Sequence, residues 1–348
     1  MTTLPFWKLH GLGNDFIFFD AMPAQDGARP QDGANSTVDL TPTEVAALCD
    51  RHTGIGADGI IVVKLSPRDE CAAYMHYINA DGTLAQMCGN GVRCFAKFLV
   101  DHGYVAADAG KFVADTLAGP KPISFTLGAD GLLATATVNM GAPILEPSLV
   151  PTKLAPNAKT PEGSPFVARQ KIASPWGPFA FTCVSMGNPH AVCFLDPAAF
   201  AALPQDCFTS TERSLDTFDV ARVGAFFEAH EAFPEKTNVE FAVVESPDAD
   251  GTGNISMRVF ERGCGETHAC GTGACATQVA ANLLELTDAS AQVHLLGGTL
   301  HIELAATDED SSSETTNSGP RTVIMTGPAR ESFTGSLPLG TGSILSPN

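Results

Sequence analysis

The chain has 348 residues, with 20 Lys and Arg against 39 Asp and Glu, a formal net charge of −19. That balance argues against a nucleic-acid partner, and no uninterrupted apolar run reaches the length of a membrane span. Ten cysteines without CxxC or zinc-ligand spacing point to a reducing compartment and to no metal centre.

The length suits two domains, each with its own core. The N-terminal stretch Phe6-Trp7-Lys8-Leu9-His10 lacks the basic and apolar regions of a secretory signal, so a cytoplasmic protein is expected. Gly11-Leu12-Gly13-Asn14-Asp15 reads as a turn that feeds the strand Phe16–Phe19. Residues 22–40 read as a surface loop. Thr41-Pro42-Thr43-Glu44 then has the pattern of a helix start, with a Thr cap, Pro at the first position and Glu three residues on.

Gly54-Ile55-Gly56-Ala57-Asp58-Gly59 fits GxGxxG, but a helix precedes it and the strand Ile60–Val63 follows. A dinucleotide fingerprint needs the reverse order, so this is a strand-entry turn. Tyr74–Ile78 alternates as a strand, and Asn79-Ala80-Asp81-Gly82 turns the chain towards Cys88. Further strands are predicted at 121–127, 132–139, 179–184, 239–244, 255–259, 292–296, 300–304 and 322–326. Residues 150–168 read as linker and loop, 307–319 as an acidic surface loop, and the stretch after 326 as a Gly/Pro/Ser-rich tail. Strands outnumber helices, with one long helix per half, which is an α+β composition.

Two stretches echo each other: Cys88-Gly89-Asn90-Gly91-Val92-Arg93-Cys94 and Cys270-Gly271-Thr272-Gly273-Ala274-Cys275. After each comes an apolar run at helical spacing, Val92, Phe95, Ala96 and Leu99 in one and Ala276, Val279, Ala280 and Leu283 in the other. Met186-Gly187-Asn188-Pro189-His190, before another apolar strand, repeats the turn at Asn14. The two Asn turns lie 174 residues apart and the two Cys motifs 182 apart, which implies a duplicated domain. A Cys just before a helix start meets the positive end of the helix dipole, which lowers a thiol pKa and favours a carboxylate ligand. Cys94 and Cys275, inside the helical runs, read as small buried hydrophobes.

Three chemistries suit two activated thiols. Thiol–disulfide exchange normally uses CxxC in one unit. Acyl transfer by a Cys–His pair, with His190 as base, leaves the second Cys idle. Proton transfer at a carbon acid, with one thiol removing a proton and the other supplying one from the opposite face, uses both halves.

The set His10-Gly11-Leu12-Gly13-Asn14-Asp15-Phe16, Asn79-Ala80-Asp81-Gly82, Cys88-Gly89-Asn90-Gly91-Val92-Arg93, Gly187-Asn188-Pro189-His190, Glu261-Arg262-Gly263 and Ala269-Cys270-Gly271-Thr272-Gly273 resembles diaminopimelate epimerase over roughly residues 6–335. The resemblance implies two pseudo-symmetric domains, each a mostly antiparallel sheet wrapped around a central helix, with the active site in the cleft between them. The expected halves are 1–149, joined by a tail at about 330–348, and 150–329. It implies cofactor-independent conversion of LL- to meso-diaminopimelate for lysine and peptidoglycan precursors, with homodimer formation open. Carried over by motif, Cys88 and Cys270 are the acid and base, and His190 and Glu261 tune or orient them. Gly89, Asn90, Gly271 and Thr272 would bind the reacting carboxylate, and Asn14, Asn79, Asn188, Asn238 and Arg262, with Glu261, the rest of the substrate. Gly59 departs from relatives that carry Gln there. Two other readings are a sibling racemase acting on proline or hydroxyproline and a non-catalytic, redox-sensing binding protein.

Overall fold

The computed structural model describes residues 3–23, 38–85, 88–306 and 321–338. The loop expected at 307–319 and most of the one at 22–40 lie outside the described residues. The chain divides after Val138 and again after Thr326. The stretch that follows Thr326 groups with the first unit, and the expected break at 149/150 falls at Val138/Asn139 instead.

In the first unit, β1 (Thr3–Gly11) and β2 (Asn14–Asp20) form a hairpin across Leu12 and Gly13. Both turn residues have positive φ, 57° and 90°, as a two-residue primed turn requires. Then come α1 (Pro42–Cys49), β3 (Gly59–Lys64), β4 (Ala73–Asn79), α2 (Gly89–Asp101), β5 (Lys111–Thr116), β6 (Lys121–Leu127) and β7 (Leu133–Gly141). α1 starts on the expected capping box: Glu44 N–H donates to Thr41 Oγ1, and the Glu44 carboxylate accepts from Thr41 N–H.

The second unit contains the short pair β8 (Ala158–Lys159) and β9 (Pro165–Phe166), then β10 (Gln170–Ile172), β11 (Phe179–Ser185) and β12 (Pro189–Phe194). It continues with α3 (Pro197–Ala202), α4 (Val220–Glu228), β13 (Asn238–Glu245), β14 (Gly253–Glu261), β15 (Gly265–Thr267) and α5 (Gly271–Leu283). β16 (Ser290–Leu295), β17 (Gly298–Ala306) and β18 (Arg321–Pro328) complete it. A last strand, β19 (Arg330–Pro338), pairs with β1 in the first unit.

The two units repeat one topology. The first sheet runs β19-β1-β2-β3-β4-β5-β6-β7, and its pairings are antiparallel, antiparallel, parallel, antiparallel, parallel, antiparallel, antiparallel. The second runs β10-β11-β12-β13-β14-β16-β17-β18 with the same succession of senses. Within each unit one 13-residue helix lies against the sheet, α2 on β1–β4 and β19, α5 on β11–β14, β16 and β17. This is the α+β architecture the composition implied.

Each sheet is covered on both faces. Ile17, Phe19, Ile60 and Val62 pack with Val45 and Leu48 of α1. On the other face Phe18 stacks on Phe98 of α2, at 5.5 Å between ring centroids. That double burial explains the continuous apolar runs at 16–19 and 60–63. In the second unit Val239 and Phe241 join the aromatic core around Phe181, Phe218 and Phe227. Their neighbour Glu240 turns to the opposite face, towards Gly273 of α5.

Three expectations are corrected. α2 is buried at every residue from Gly89 to Val100, so no single apolar face describes it; it is a core helix. The stretch 150–168 is not a linker: Val150, Phe166 and Val167 lie in the core of the second unit, and β8 pairs with β9. The stretch after 326 includes a nine-residue strand. Gly335 lets β19 lie over the ring of Phe6, whose Cζ would stand 2.5 Å from a Cβ there.

Candidate active site

Both motif cysteines are helix N-caps. Cys88 has φ −137° and ψ 122°, and its Sγ accepts the Gly91 N–H at 3.5 Å. Cys270 has φ −119° and ψ 106°, and its Sγ accepts the Gly273 N–H at 3.4 Å. The sulfur thus occupies the place of a Ser or Thr capping oxygen. The glycine three residues on leaves little room for a side chain. A Cβ at Gly91 would stand 3.2 Å from Ile61 Cδ1, and one at Gly273 2.8 Å from Glu240 Oε1 and 3.2 Å from the Cys270 sulfur. Gly89 and Asn90, and likewise Gly271 and Thr272, occupy the first turn, where a helix presents N–H groups to an anion.

Around Cys88 the first unit gathers Asn14, Asn90 and Arg93. Cys88 Sγ lies 3.7 Å from Asn14 Oδ1, which also accepts from Asn90 Nδ2 at 3.1 Å. Asn14 Nδ2 donates to Asp58 Oδ2 at 2.6 Å, which fixes the side of the amide that faces the sulfur. Arg93 is fully buried and donates to Gly89 O, Asn90 Oδ1 and Pro328 O. Asn79 ends β4 on the rung of Gly59, itself paired with Phe16, and donates to Thr83 Oγ1 at 3.0 Å. A Cβ at Gly59 would stand 2.7 Å from Ile78 O, so this backbone excludes a larger residue there.

Around Cys270 the second unit gathers His190, Asn188, Glu261 and Thr272. Cys270 Sγ lies 3.5 Å from Thr272 Oγ1, and that hydroxyl accepts from Asn188 Nδ2 at 3.2 Å. Asn188 Oδ1 faces His190 Nε2 at 3.1 Å, and His190 Nδ1 faces Glu240 Oε1 at 2.6 Å. Glu261 accepts from Thr267 Oγ1 and hydrogen-bonds Cys270. Asn238 is buried, with Nδ2 on Pro189 O at 2.8 Å and Oδ1 on Arg262 N–H at 2.9 Å, so its amide holds the strand ends together. Arg262 is exposed, with Nη1 3.2 Å from Glu235 O.

One expected effect is reversed. The thiol of Cys270 lies well above the ordinary thiol range. Burial is the main cause and the Glu261 and Glu240 carboxylates add to it, against hydrogen bonds from Thr272 and Gly273. The helix start alone therefore does not set its ionisation. Burial also holds the Glu261 carboxyl above its usual range. Cys94 and Cys275 are fully buried, and desolvation pushes the Cys94 thiol up, as suits packing residues. Alkylation of Cys270 by iodoacetamide is expected to be slow at neutral pH and to climb as pH rises, because only the thiolate attacks. Peptide mapping of the modified protein checks this, and fast labelling at neutral pH would contradict it.

Two organising residues, Asp58 and Glu240, escaped the sequence reading, and a third, Arg93, stood in the Cys88 motif without a role. Glu240 had a signal, a lone charge inside the apolar strand Val239-Glu240-Phe241-Ala242-Val243-Val244. Arg93 and Asp58 sit beside glycine-rich turns, where a charged residue carries no signal of burial.

The fold is shared with solved structures of a probable proline racemase and a hydroxyproline epimerase. A probable proline racemase from Agrobacterium radiobacter K84 matches with a TM-score of 0.60 at 15% identity, over 97% of this chain and 93% of that one. A hydroxyproline epimerase from Agrobacterium vitis matches with a TM-score of 0.59 at 14% identity, over 97% and 91%. The diaminopimelate epimerase family profile matches residues 6–146 and 182–329. The diaminopimelate epimerase of Synechococcus sp. (strain JA-3-3Ab) is 43% identical over 333 residues, 95% of this chain and 97% of its own. That of Leptospira biflexa is 37% identical over 330 residues, 95% and 97% of the two chains. This chain belongs to the diaminopimelate epimerase family, whose members are isomerases.

Proposed function

We propose that the protein epimerises LL-diaminopimelate to the meso form, for lysine and peptidoglycan precursors, with Cys88 and Cys270 as the proton carriers. The observation that carries this reading is the paired one: in each repeat a cysteine caps the N-terminus of the central helix. One thiol takes the α-proton, and the thiol of the other repeat returns a proton to the opposite face. The first-turn N–H groups at Gly89, Asn90, Gly271 and Thr272 meet the α-carboxylate and stabilise the charge that develops on deprotonation.

His190 and Glu261 orient the thiols and shape the charge around them. Asn14, Asn79 and Asn188 hold the remaining polar groups, Asn238 acts by fixing the backbone at Arg262, and Arg262 takes the distal carboxylate. Among the described residues no helix is long and apolar enough to cross a membrane; with ten cysteines in the chain, the cytoplasm is the setting this reading assigns.

The test is α-proton exchange from deuterated water into LL-diaminopimelate, proline, hydroxyproline and glutamate, followed by proton NMR. Exchange and inversion of diaminopimelate alone is expected. Preferred turnover of proline or hydroxyproline would replace this reading with the sibling racemase, and no exchange into any of them would favour a binding protein.

A further inference from the structure

The two repeats differ at one buried position that the thiol chemistry leaves unused. In the first unit Phe16 pairs with Gly59 and Phe18 with Ile61; in the second His190 pairs with Asn238 and Val192 with Glu240. In matching register, His190 stands where the first repeat has Phe16, and Glu240 where it has Ile61. The contacts of the helix glycines agree. Gly91 faces Ile61 and Phe16, whereas Gly273 faces the Glu240 carboxylate. Two apolar side chains under one helix start are thus replaced by an acid and an imidazole, both fully buried.

The hydrogen bonds run in one direction from that pair. Asn188 Nδ2 donates to Thr272 Oγ1, which turns Asn188 Oδ1 to His190 Nε2, while His190 Nδ1 meets a Glu240 oxygen. Both ring nitrogens thus face oxygen atoms, the Glu240 carboxyl on one side and the Asn188 amide oxygen on the other, an arrangement that a ring carrying two protons satisfies. In the first repeat the equivalent asparagine is turned the other way, with Nδ2 on Asp58 and Oδ1 towards Asn90 and Cys88. Glu240 Oε2 accepts no hydrogen bond among the described residues. The other titratable groups near the pair are Cys183 of β11, Glu261 of β14 and Cys270 at the start of α5.

We infer that Glu240 is a positioning residue: its carboxylate keeps the His190 ring doubly protonated and aimed at Asn188, giving the Cys270 half a fixed buried cation that the Cys88 half lacks. That cation would favour the negative charge that grows on the substrate as the α-proton leaves. It also fixes the amide of Asn188, so that Thr272 accepts from it and directs its own O–H at the Cys270 sulfur. The kinetic part of this inference rests on the proposed epimerase reading; the protonation of the ring does not.

The test is a long-range proton–nitrogen correlation spectrum of protein labelled with 15N-histidine, with His190→Gln identifying one ring among the nine. At neutral pH both His190 nitrogens are expected at protonated shifts in the parent protein. In Glu240→Gln, which keeps the shape and removes the charge, the ring is expected to fall back to one proton. That variant should lose about ten- to a hundredfold in kcat with KM little changed, and Glu240→Asp should recover part of the loss. A singly protonated ring in the parent protein overturns the inference even if no variant folds, and so does a Glu240→Gln ring identical to the parent's. If the parent does not turn over diaminopimelate, the epimerase reading fails while the spectra still decide what Glu240 does.

Discussion

Replacing either Cys88 or Cys270 by alanine is expected to abolish epimerisation and leave the fold intact. Each face of the α-carbon needs its own proton carrier, and a positioned acid or base contributes about 10²–10⁴ in rate. With one carrier gone, the remaining thiol can remove a proton but cannot complete the inversion. The folding cost is small. Each sulfur caps one helix through a single N–H, at 3.5 Å and 3.4 Å, and losing a capping side chain costs about 1 kcal/mol. Assays of LL-to-meso conversion, with circular dichroism as the folding control, check this. A folded single variant that keeps even a tenth of the activity would remove that cysteine from the mechanism.

Arg262→Met is expected to weaken turnover of diaminopimelate strongly. Its backbone N–H is held by Asn238 Oδ1 and its guanidinium reaches Glu235 O, so the residue is anchored by its main chain while the exposed charged end can meet an anion. A charge-assisted hydrogen bond to a carboxylate contributes about 1.5–3 kcal/mol, which is about ten- to a hundredfold in kcat/KM. Methionine keeps the length of the stem and leaves the Asn238 bond untouched, so the loss reports the charge. Normal handling of diaminopimelate by this variant would strip Arg262 of the distal carboxylate, and proline-type substrates would then need comparison.

The features legible in the sequence were the repeated ones. Cys88 and Cys270 were readable as helix caps because the same glycine-rich context occurs twice, and Thr41 to Glu44 because a capping box is local. The ionisation of Cys270 was not readable, since burial, its main cause, is set by tertiary packing, and the Glu240 and Glu261 carboxylates that add to it reach the thiol only once β13 and β14 are folded beside α5. Glu240 could have been flagged as an isolated charge in an apolar strand, but its partner, His190, is 50 residues away and meets it only across a parallel pairing. β19 was hidden by its Gly, Pro and Ser content. It forms because β1 offers it an edge, with one register shift between Lys8 and Leu9, and because Leu337 is buried. Residues 150–168 misled in the same way: prolines suggested a linker, while Val150, Phe166 and Val167 supply core.

The central claim is that two different thiols serve one carbon. The most direct measurement of it is the fate of deuterium at early turnover in deuterated water. If one sulfur removes the α-proton and the other delivers its own, the delivering thiol has already exchanged with solvent. The first meso product should then carry deuterium at the inverted carbon, while recovered LL substrate stays unlabelled. Early product that retains the original proton would mean that one group moves between the two faces, and would contradict the account.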